Sequence, residues 1–237
     1  METLANTRGR VEVRPAPMAK PADLTRGGPW GALFESALTL TDHLATMIGK
    51  PLWTFGGGTV LMLRLNHRYS RDIDLFVPDP QYLGHVTPRL SDPAESLTTE
   101  YVEAAGYVKL LLPTGEIDIV VGEPLTDHPW EVVAHKGRRI LVETNAEIIA
   151  KKMHHRGDHA KARDLFDLCA VADLDPASIE HAAPFFKRHG LAFIARLEAN
   201  AEYIEEDFAQ IQRIDYKRPF EECLTLAASI IDAVMQR

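Results

Sequence analysis

The stretch Phe55-Gly-Gly-Gly-Thr-Val-Leu-Met-Leu-Arg-Leu-Asn-His-Arg-Tyr-Ser-Arg-Asp-Ile-Asp-Leu-Phe76 decides the fold of this 237-residue chain. The apolar run Leu52–Phe55 indicates a short strand that ends at three glycines. A helical run, Val60–Leu65, follows the glycines, and Ile73–Val77 is typical of a second strand. The combination of strand, glycine turn, helix and strand is the specific signal, more than any of its parts.

Asp72 and Asp74 form an acidic pair at the start of that second strand. Side chains alternate along a strand, so both carboxylates are expected on one face and Ile73 on the other. Adjacent carboxylates repel each other unless a cation neutralises them, and Mg²⁺ prefers carboxylate oxygens together with substrate phosphates. The alternative is a strand edge whose charges face water, which an isolated Asp-x-Asp favours.

Three glycines before this pair favour a functional site over a strand edge that faces water. They are Gly56, Gly57 and Gly58, and Thr59 follows them. Glycine lets backbone N–H groups approach a phosphate closely at the start of a helix. A plain tight turn is the alternative. The segment is not a P-loop, because no Gly-Lys-Ser/Thr follows it.

A third carboxylate, Asp118, lies in the strand-like run Glu116–Val121 among apolar neighbours. It is either an outward-facing residue of a half-exposed strand or a member of the same site. Beside Asp72 and Asp74, it would complete a site for two metal ions that clamp the oxygens of an in-line phosphoryl transfer. It could also deprotonate the acceptor hydroxyl.

Basic residues gather in two places in a chain whose net charge is −8. The group before the acidic pair places Ser70 and Arg71 at the rim of the site, unless this is a solvated loop. The group near residue 155 suits a triphosphate or an RNA backbone, or else a solvated helix face. We expect Arg163 to form intramolecular ion pairs that lock the two halves of the chain together. The two groups are Arg64, His67, Arg68 and Arg71, and Lys151, Lys152, His154, His155, Arg156, His159, Lys161 and Arg163.

The chain divides into three predicted parts. Residues 1–28 lack periodicity and are predicted to form a flexible tail. Residues 29–143 are predicted to form an α/β domain, and residues 144–237 a helical domain.

Several element boundaries can also be predicted. A helix is expected from Pro29 until Gly49 ends it. Tyr107–Leu112 and Glu116–Val121 predict a hairpin. Thr144 has the spacing of a capping box with the glutamate three residues later, so a helix should open there.

Composition limits the class of protein. With 46% hydrophobic and 25% charged residues, the chain is typical of a globular protein. Its two cysteines, Cys169 and Cys223, are far apart, which excludes a disulfide framework and favours a reducing compartment. No apolar stretch approaches the length of a membrane span, and the acidic balance argues against a protein that coats nucleic acid. We expect a cytoplasmic protein.

The motifs together resemble a known group of enzymes. Gly57-Gly58, Asp72-Ile-Asp74 and the later Asp118 resemble the polymerase-β-like nucleotidyltransferase superfamily. More narrowly, four segments resemble the AbiEii/AbiGii toxin family, the last two through its helical Lys…Arg…Arg-Asp-x-x-Asp signature. These segments are Gly57–Leu61, His67–Phe76, Glu147–Arg156 and Ala162–Leu168. The resemblance implies an α+β fold, in which a mixed sheet with flanking helices precedes an α-helical C-terminal domain.

The resemblance also implies a role for each matching residue. The expected metal ligands, for Mg²⁺ or Mn²⁺, are Asp72, Asp74 and Asp118. The expected catalytic residues are these three with Lys152 and Asp164. The residues expected at the nucleotide are Gly57, Gly58, Thr59, Ser70, Arg71, Lys152, Arg156 and Asp167.

Lys151 and Lys152 are adjacent, so only one of them is expected to face the cleft. Lys152 lies four residues before Arg156, on the same face of the predicted helix. We therefore choose Lys152.

The implied activity is transfer of a nucleoside monophosphate from an NTP to an acceptor hydroxyl, with release of pyrophosphate. By resemblance the acceptor is an RNA 3′ end such as that of tRNA, and the protein is a toxin with a cognate antitoxin. One alternative is an enzyme that modifies a protein hydroxyl by the same chemistry. Another is a catalytically silent nucleotide- or RNA-binding module of the same fold.

Overall fold

A seven-stranded mixed sheet is the centre of the molecule. The computed structural model describes residues 20–236. The strand order is β3-β4-β5-β2-β1-β7-β6. The strands are β1 (Thr54–Gly56), β2 (Ile73–Val77), β3 (Tyr101–Ala104), β4 (Tyr107–Leu112), β5 (Gly115–Val121), β6 (Trp130–His135) and β7 (Arg138–Glu143).

Two pairings in the middle of the sheet position the acidic residues. Strand β2 pairs antiparallel with β1 and parallel with β5. The register places Asp74 opposite both Gly56 and Asp118. The predicted second strand and the predicted hairpin of β4 and β5 are confirmed, and their register brings residues 44 apart in sequence to adjacent positions.

Helices cover the sheet and then continue alone to the end of the chain. The predicted first helix is confirmed, and Gly49 ends it with a positive φ of 89°. The helices are α1 (Trp30–Ile48), α2 (Gly57–Leu65), α3 (Asp92–Leu97), α4 (Asn145–Arg156), α5 (Ala162–Leu174), α6 (Pro176–Ala182), α7 (Gly190–Ala199), α8 (Ala201–Ala209) and α9 (Phe220–Met235). In the part of the chain from 20 to 236, no helix is long and apolar enough to cross a membrane. The predicted α+β fold is thus confirmed, with the strands first and a run of helices after them.

The start of α4 departs from a full capping box. Thr144 Oγ1 accepts a hydrogen bond from the Glu147 backbone N at 3.2 Å, as predicted. The Glu147 carboxylate turns away and accepts from the backbone N atoms of Leu125 and Thr126 at 3.0 and 2.8 Å. Glu147 therefore fastens the loop before β6 to α4.

The predicted flexible tail is wrong for residues 20–28. Ala22 and Leu24 are buried in the core, and Arg26 donates to the Met62 carbonyl oxygen at 3.3 Å. Residues 1–19 of the predicted tail lie outside the described residues. The domain boundary at residues 143 and 144 stays a prediction.

Candidate active site

Asp74 and Asp118 lie side by side on the floor of a cleft. Their strands pair in register, so the two side chains project from neighbouring positions of the same face. Burial, and then the neighbouring Asp118, raises the pKa of Asp74 to about 6. Burial also raises the pKa of Asp118. A cation bound between these carboxylates would favour their charged forms.

Lys109 is a member of this group that the sequence analysis missed. Its Nζ lies 3.0 Å from Asp118 Oδ2 and also contacts the Glu116 carboxylate. Lys109 stands opposite Asp118 in the antiparallel pairing of β4 and β5. Only the strand register brings it to the site, and a single lysine in an apolar strand gives no sequence signal of this.

Asp72 lies at the edge of the acidic group and not at its centre. Its Oδ1 accepts a hydrogen bond from the Glu116 backbone N at 3.1 Å. Its carbonyl oxygen accepts from Thr59 Oγ1 at 2.6 Å. Thr59 is fully buried and does not line the cleft, which argues against its predicted contact with nucleotide phosphate; Thr59 holds the start of β2.

The glycine turn fits closely against Asp74. Gly57 has φ of 72°, and a methyl group there would lie 1.8 Å from Asp74 Oδ2. A methyl group on Gly58 would lie 2.6 Å from an Arg68 guanidinium nitrogen and 3.1 Å from Ser70 Oγ. Both glycines line the cleft at the N-terminus of α2, where free N–H groups favour an anion.

The opposite wall of the cleft comes from α4. Ile148, Lys151, Lys152, His155 and Arg156 all line it, at the spacing of one helix face. The prediction that only Lys152 faces the cleft is therefore corrected, since Lys151 lines the cleft as well, at its other end.

The two lysines have different partners. Lys152 Nζ lies 2.6 Å from Asp164 Oδ1 and 3.1 Å from Asp167 Oδ2. Lys151 Nζ lies 2.6 Å from Glu143 Oε1 and 4.0 Å from the centre of the Phe76 ring. Lys152 lies at the end of the cleft near Arg156, the basic end. Lys151 lies at the end near Phe76, the apolar end.

Asp164 and Asp167 lie behind this wall. Burial would raise the pKa of each, but the cations around them outweigh it, so the pKa of Asp164 falls to about 2 and that of Asp167 well below its ordinary value. Neither residue lines the cleft. This position favours bracing of the site, whereas the catalytic role of Asp164 and the nucleotide contact of Asp167 stay predictions.

Asp167 is the anchor of the first basic group. Arg68 donates to both of its carboxylate oxygens, at 2.6 and 2.8 Å, and His67 Nε2 lies 2.8 Å from Oδ1. Burial lowers the pKa of His67, so the neutral ring donates. Arg64 is also buried and pairs with Glu131. Of the first basic group, only Arg68 reaches the cleft.

The mouth of the cleft carries basic side chains. Arg156, Lys161 and Arg163 line it together with Ser70. The ion pairs expected of Arg163 were wrong, since it makes none within 4.0 Å among residues 20–236, and its guanidinium is available to a ligand. Arg71 is exposed and lies outside the cleft wall.

A divalent cation fits the acidic group. Asp118 Oδ1 is buried and has no hydrogen-bond partner among the described residues, and Asp74 Oδ2 faces the gap that Gly57 leaves. Residues 20–236 contain no ready-made cluster of three acidic, histidine or cysteine ligands, and Asp72 Oδ1 already accepts a hydrogen bond from the Glu116 backbone N. Asp74 and Asp118 are the pair that would hold the ion, with Asp72 at its edge.

A glycine turn against an acidic pair, facing a basic wall, is the arrangement of an enzyme that transfers nucleotidyl groups. The family described as "Nucleotidyl transferase AbiEii toxin, Type IV TA system" matches residues 39–237. The chain belongs to this family, which confirms the resemblance of its motifs. It is a toxin-type nucleotidyltransferase, and membership implies a nucleotide substrate and a cognate antitoxin.

Two of the solved structures that the chain matches come from Helicobacter pylori. A candidate nucleotidyltransferase from H. pylori is 16% identical with a TM-score of 0.45, over 86% of this chain and 94% of that one. JHP933 from Helicobacter pylori is 16% identical with a TM-score of 0.45, over 85% of this chain and 92% of that one. The STING-associated c-di-GMP synthase CdnE from Capnocytophaga granulosa is 12% identical with a TM-score of 0.31, over 88% of this chain and 81% of that one. No curated protein matches the chain, so its assignment rests on the family match.

Proposed function

We propose that this protein transfers a nucleoside monophosphate from an NTP to the 3′ hydroxyl of an RNA, in a divalent-metal-dependent reaction, as a growth-arresting toxin. The observation that carries the proposal is the in-register pair of Asp74 and Asp118 directly opposite the basic face of α4. Negative charge to hold a cation and positive charge to hold a triphosphate stand on the two sides of one cleft.

The triphosphate would lie at the basic end of the cleft. The N-terminus of α2 at Gly57 and Gly58 offers N–H groups to phosphate. Lys152 and Arg156 would hold the β- and γ-phosphates, and Asp164 keeps both cations in place through contacts of 2.6 and 3.4 Å. These cations would stabilise the charge that develops on departing pyrophosphate.

The acceptor hydroxyl would approach from the side of Asp118. Its oxygen attacks the α-phosphorus, the bond from that phosphorus to the bridging oxygen of the pyrophosphate breaks, and the hydroxyl proton passes to a carboxylate. We assign the Asp118 carboxylate as the proton acceptor, because its Oδ1 has no partner to displace among residues 20–236, and Asp74 then stays the ligand of the ion. A bound Mg²⁺ or Mn²⁺ would supply Lewis-acid activation of the α-phosphate.

The size of the cleft supports a large acceptor that reaches in from outside. Its cavity of about 340 Å³ is at the lower end of the range for small-molecule sites and leaves no room for a polynucleotide beside an NTP. Lys161 and Arg163 at the mouth would meet the acceptor phosphates. An RNA end satisfies both conditions.

The test is incubation of the protein with Mg²⁺, each α-labelled NTP in turn, and total cellular RNA or total protein. We expect label in RNA, and none with Asp74→Asn or Asp118→Asn. Label in protein alone would replace the RNA acceptor by a side-chain hydroxyl. An absence of transfer to either pool would refute the catalytic proposal and favour the silent binding module.

The toxin role needs its own measurement. Induced expression of the wild-type chain should arrest growth, and expression of Asp74→Asn at the same level should not. Arrest by both chains would separate toxicity from nucleotidyl transfer.

A further inference from the structure

The floor of the cleft changes from charged to apolar along β2 and β5. Asp74 and Asp118 form one row, and Phe76 and Val120 form the next row on the same face. Alternation along a strand puts the second row about 6.6 Å beyond the first. Gly122 and Ile148 complete this end of the cleft. The apolar end lies away from Gly57 and Gly58, where the phosphates would bind.

Phe76 is fixed in place at that end. Lys151 Nζ sits 4.0 Å from its ring centre, as in a cation–π contact. A methyl group on Gly56 would lie 2.9 Å from Phe76 Cε2 and 2.2 Å from Glu143 Oε2. The space that Gly56 leaves is therefore filled by the ring edge and the carboxylate together.

Glu143 brings an unused hydrogen-bond acceptor to the same place. Its Oε1 accepts from Lys151 and from Thr54 at 2.6 and 2.7 Å. Its Oε2 has no partner among the described residues, although the side chain is 1% exposed and lines the cleft. A buried acceptor without a donor is destabilising, and an N–H group of a ligand at this end of the cleft would supply the missing donor.

We propose that the nucleobase of the incoming NTP binds in this apolar end, packed on Phe76 and Val120, with its N–H edge directed towards Glu143. A ribose separates the α-phosphate from the base, which matches the step from the acidic row to the apolar row. Phe76 then supplies affinity for any base, and Glu143 with Lys151 selects among bases. This inference rests on the proposed function and names the residues that read its substrate.

The test compares a nucleotide with a probe that has no base. Dissociation constants are measured by titration calorimetry, with Mg²⁺ present and no acceptor, for each NTP and for inorganic tripolyphosphate. The variants are Phe76→Leu at the apolar end and Arg156→Ala at the basic end. Phe76→Leu removes the aromatic contact with the base, so it should weaken NTP binding about tenfold.

The two variants should affect the binding of NTP and of tripolyphosphate differently. Phe76→Leu should leave tripolyphosphate binding within twofold of wild type, which also shows that the variant is folded. Arg156→Ala should weaken both ligands by a similar factor. Equal losses of NTP and tripolyphosphate on Phe76→Leu, or no loss of NTP binding, would overturn the inference.

Glu143→Gln tests selection separately. It keeps the size of the side chain and exchanges a carboxylate acceptor for an amide. We expect the ratio of affinities among the four NTPs to change at least about tenfold, while tripolyphosphate binds as before; unchanged ratios would contradict the assigned role of Glu143. If the wild-type protein binds tripolyphosphate and binds no NTP more tightly than tripolyphosphate, only the base site is refuted. If it binds neither, the proposed function is refuted as well.

Discussion

Single residues set the geometry of the cleft, and Gly57 does so most strictly. Its φ of 72° disfavours any other residue, and the adjacent Asp74 leaves no room for a methyl group. Gly137 has a similar φ of 78° with nothing within 4 Å of the place where a methyl group would be. The two glycines share a positive φ and differ in whether a side chain stands where a methyl group would be.

Gly57→Ala should therefore abolish nucleotidyl transfer, because either the methyl group or Asp74 must move. Gly137→Ala should cost about 1–2 kcal/mol of stability and keep the activity. Labelled-NTP transfer and urea unfolding of both variants check this. Equal activity of the two would show that Asp74 tolerates displacement.

Asp164 gives a pH-dependent contribution to stability. Its pKa is lowered from 3.8 to about 2 in the folded protein, because Lys152 and Arg156 outweigh burial. A lowered carboxyl pKa stabilises the fold above the ordinary pKa, and that stability is lost as the pH falls from about 4 towards about 2. The lowering corresponds to roughly 2 kcal/mol.

The free energy of unfolding of Asp164→Asn should thus be lower than that of wild type by about 2 kcal/mol at pH 7. The difference should shrink as the pH falls below about 4. Urea unfolding of both proteins at several pH values measures it. A difference that does not change with pH would assign the loss to packing.

At the scale of elements, α5 fastens the segment between α2 and β2. The Asp167 carboxylate on α5 forms hydrogen bonds or ion pairs with Arg68, His67 and Lys152. All of these side chains are nearly buried. The helix therefore positions the segment that ends at the acidic pair.

Asp167→Asn should destabilise the protein by about 3–5 kcal/mol, because it leaves a buried guanidinium without its charge partner. The matched control is Asp42→Asn, which breaks the exposed pair of Asp42 with Arg138 and should cost less than about 1 kcal/mol. Urea unfolding compares the two. Similar losses would contradict the anchoring role of α5.

The elements show what sequence could reveal. Ile73–Val77 and the hairpin were predictable because they are runs of β-forming apolar residues, in which Asp74 and Asp118 each stand between two buried apolar neighbours. Strand β3 was missed because this edge strand has no buried residue and hence no alternation. Gly57, Asp74 and Asp118 were marked by their motifs. Lys109, Phe76 and the anchoring of Asp167 depend on partners far away in the chain, which no local pattern records.

At the scale of the molecule, a nucleotide would join two parts of the chain. The glycines and carboxylates belong to the sheet half, whereas Lys152 and Arg156 belong to the helices that follow it. A ligand that contacts both halves of the folded chain and not the unfolded chain raises its stability.

Mg²⁺ with the preferred NTP should therefore raise the thermal midpoint. At a ligand concentration of 100 times the dissociation constant, the gain is about 2.7 kcal/mol. Chelation of the metal, or Arg156→Ala at the same NTP concentration, should remove most of the rise. Calorimetric scans measure it, and an equal rise without metal would argue against a metal-bound triphosphate.

The parallel pairing of β2 with β5 has a consequence for reading natural variants of this chain. Asp118 faces Asp74 only because it lies two positions after Glu116, whose backbone N donates a hydrogen bond to Asp72. The insertion of one codon between Glu116 and Asp118 would turn the Asp118 carboxylate to the other face of the sheet, while every motif would still be legible in the translated gene. An odd-length insertion at this point would mark an inactive copy that motif searches count as intact.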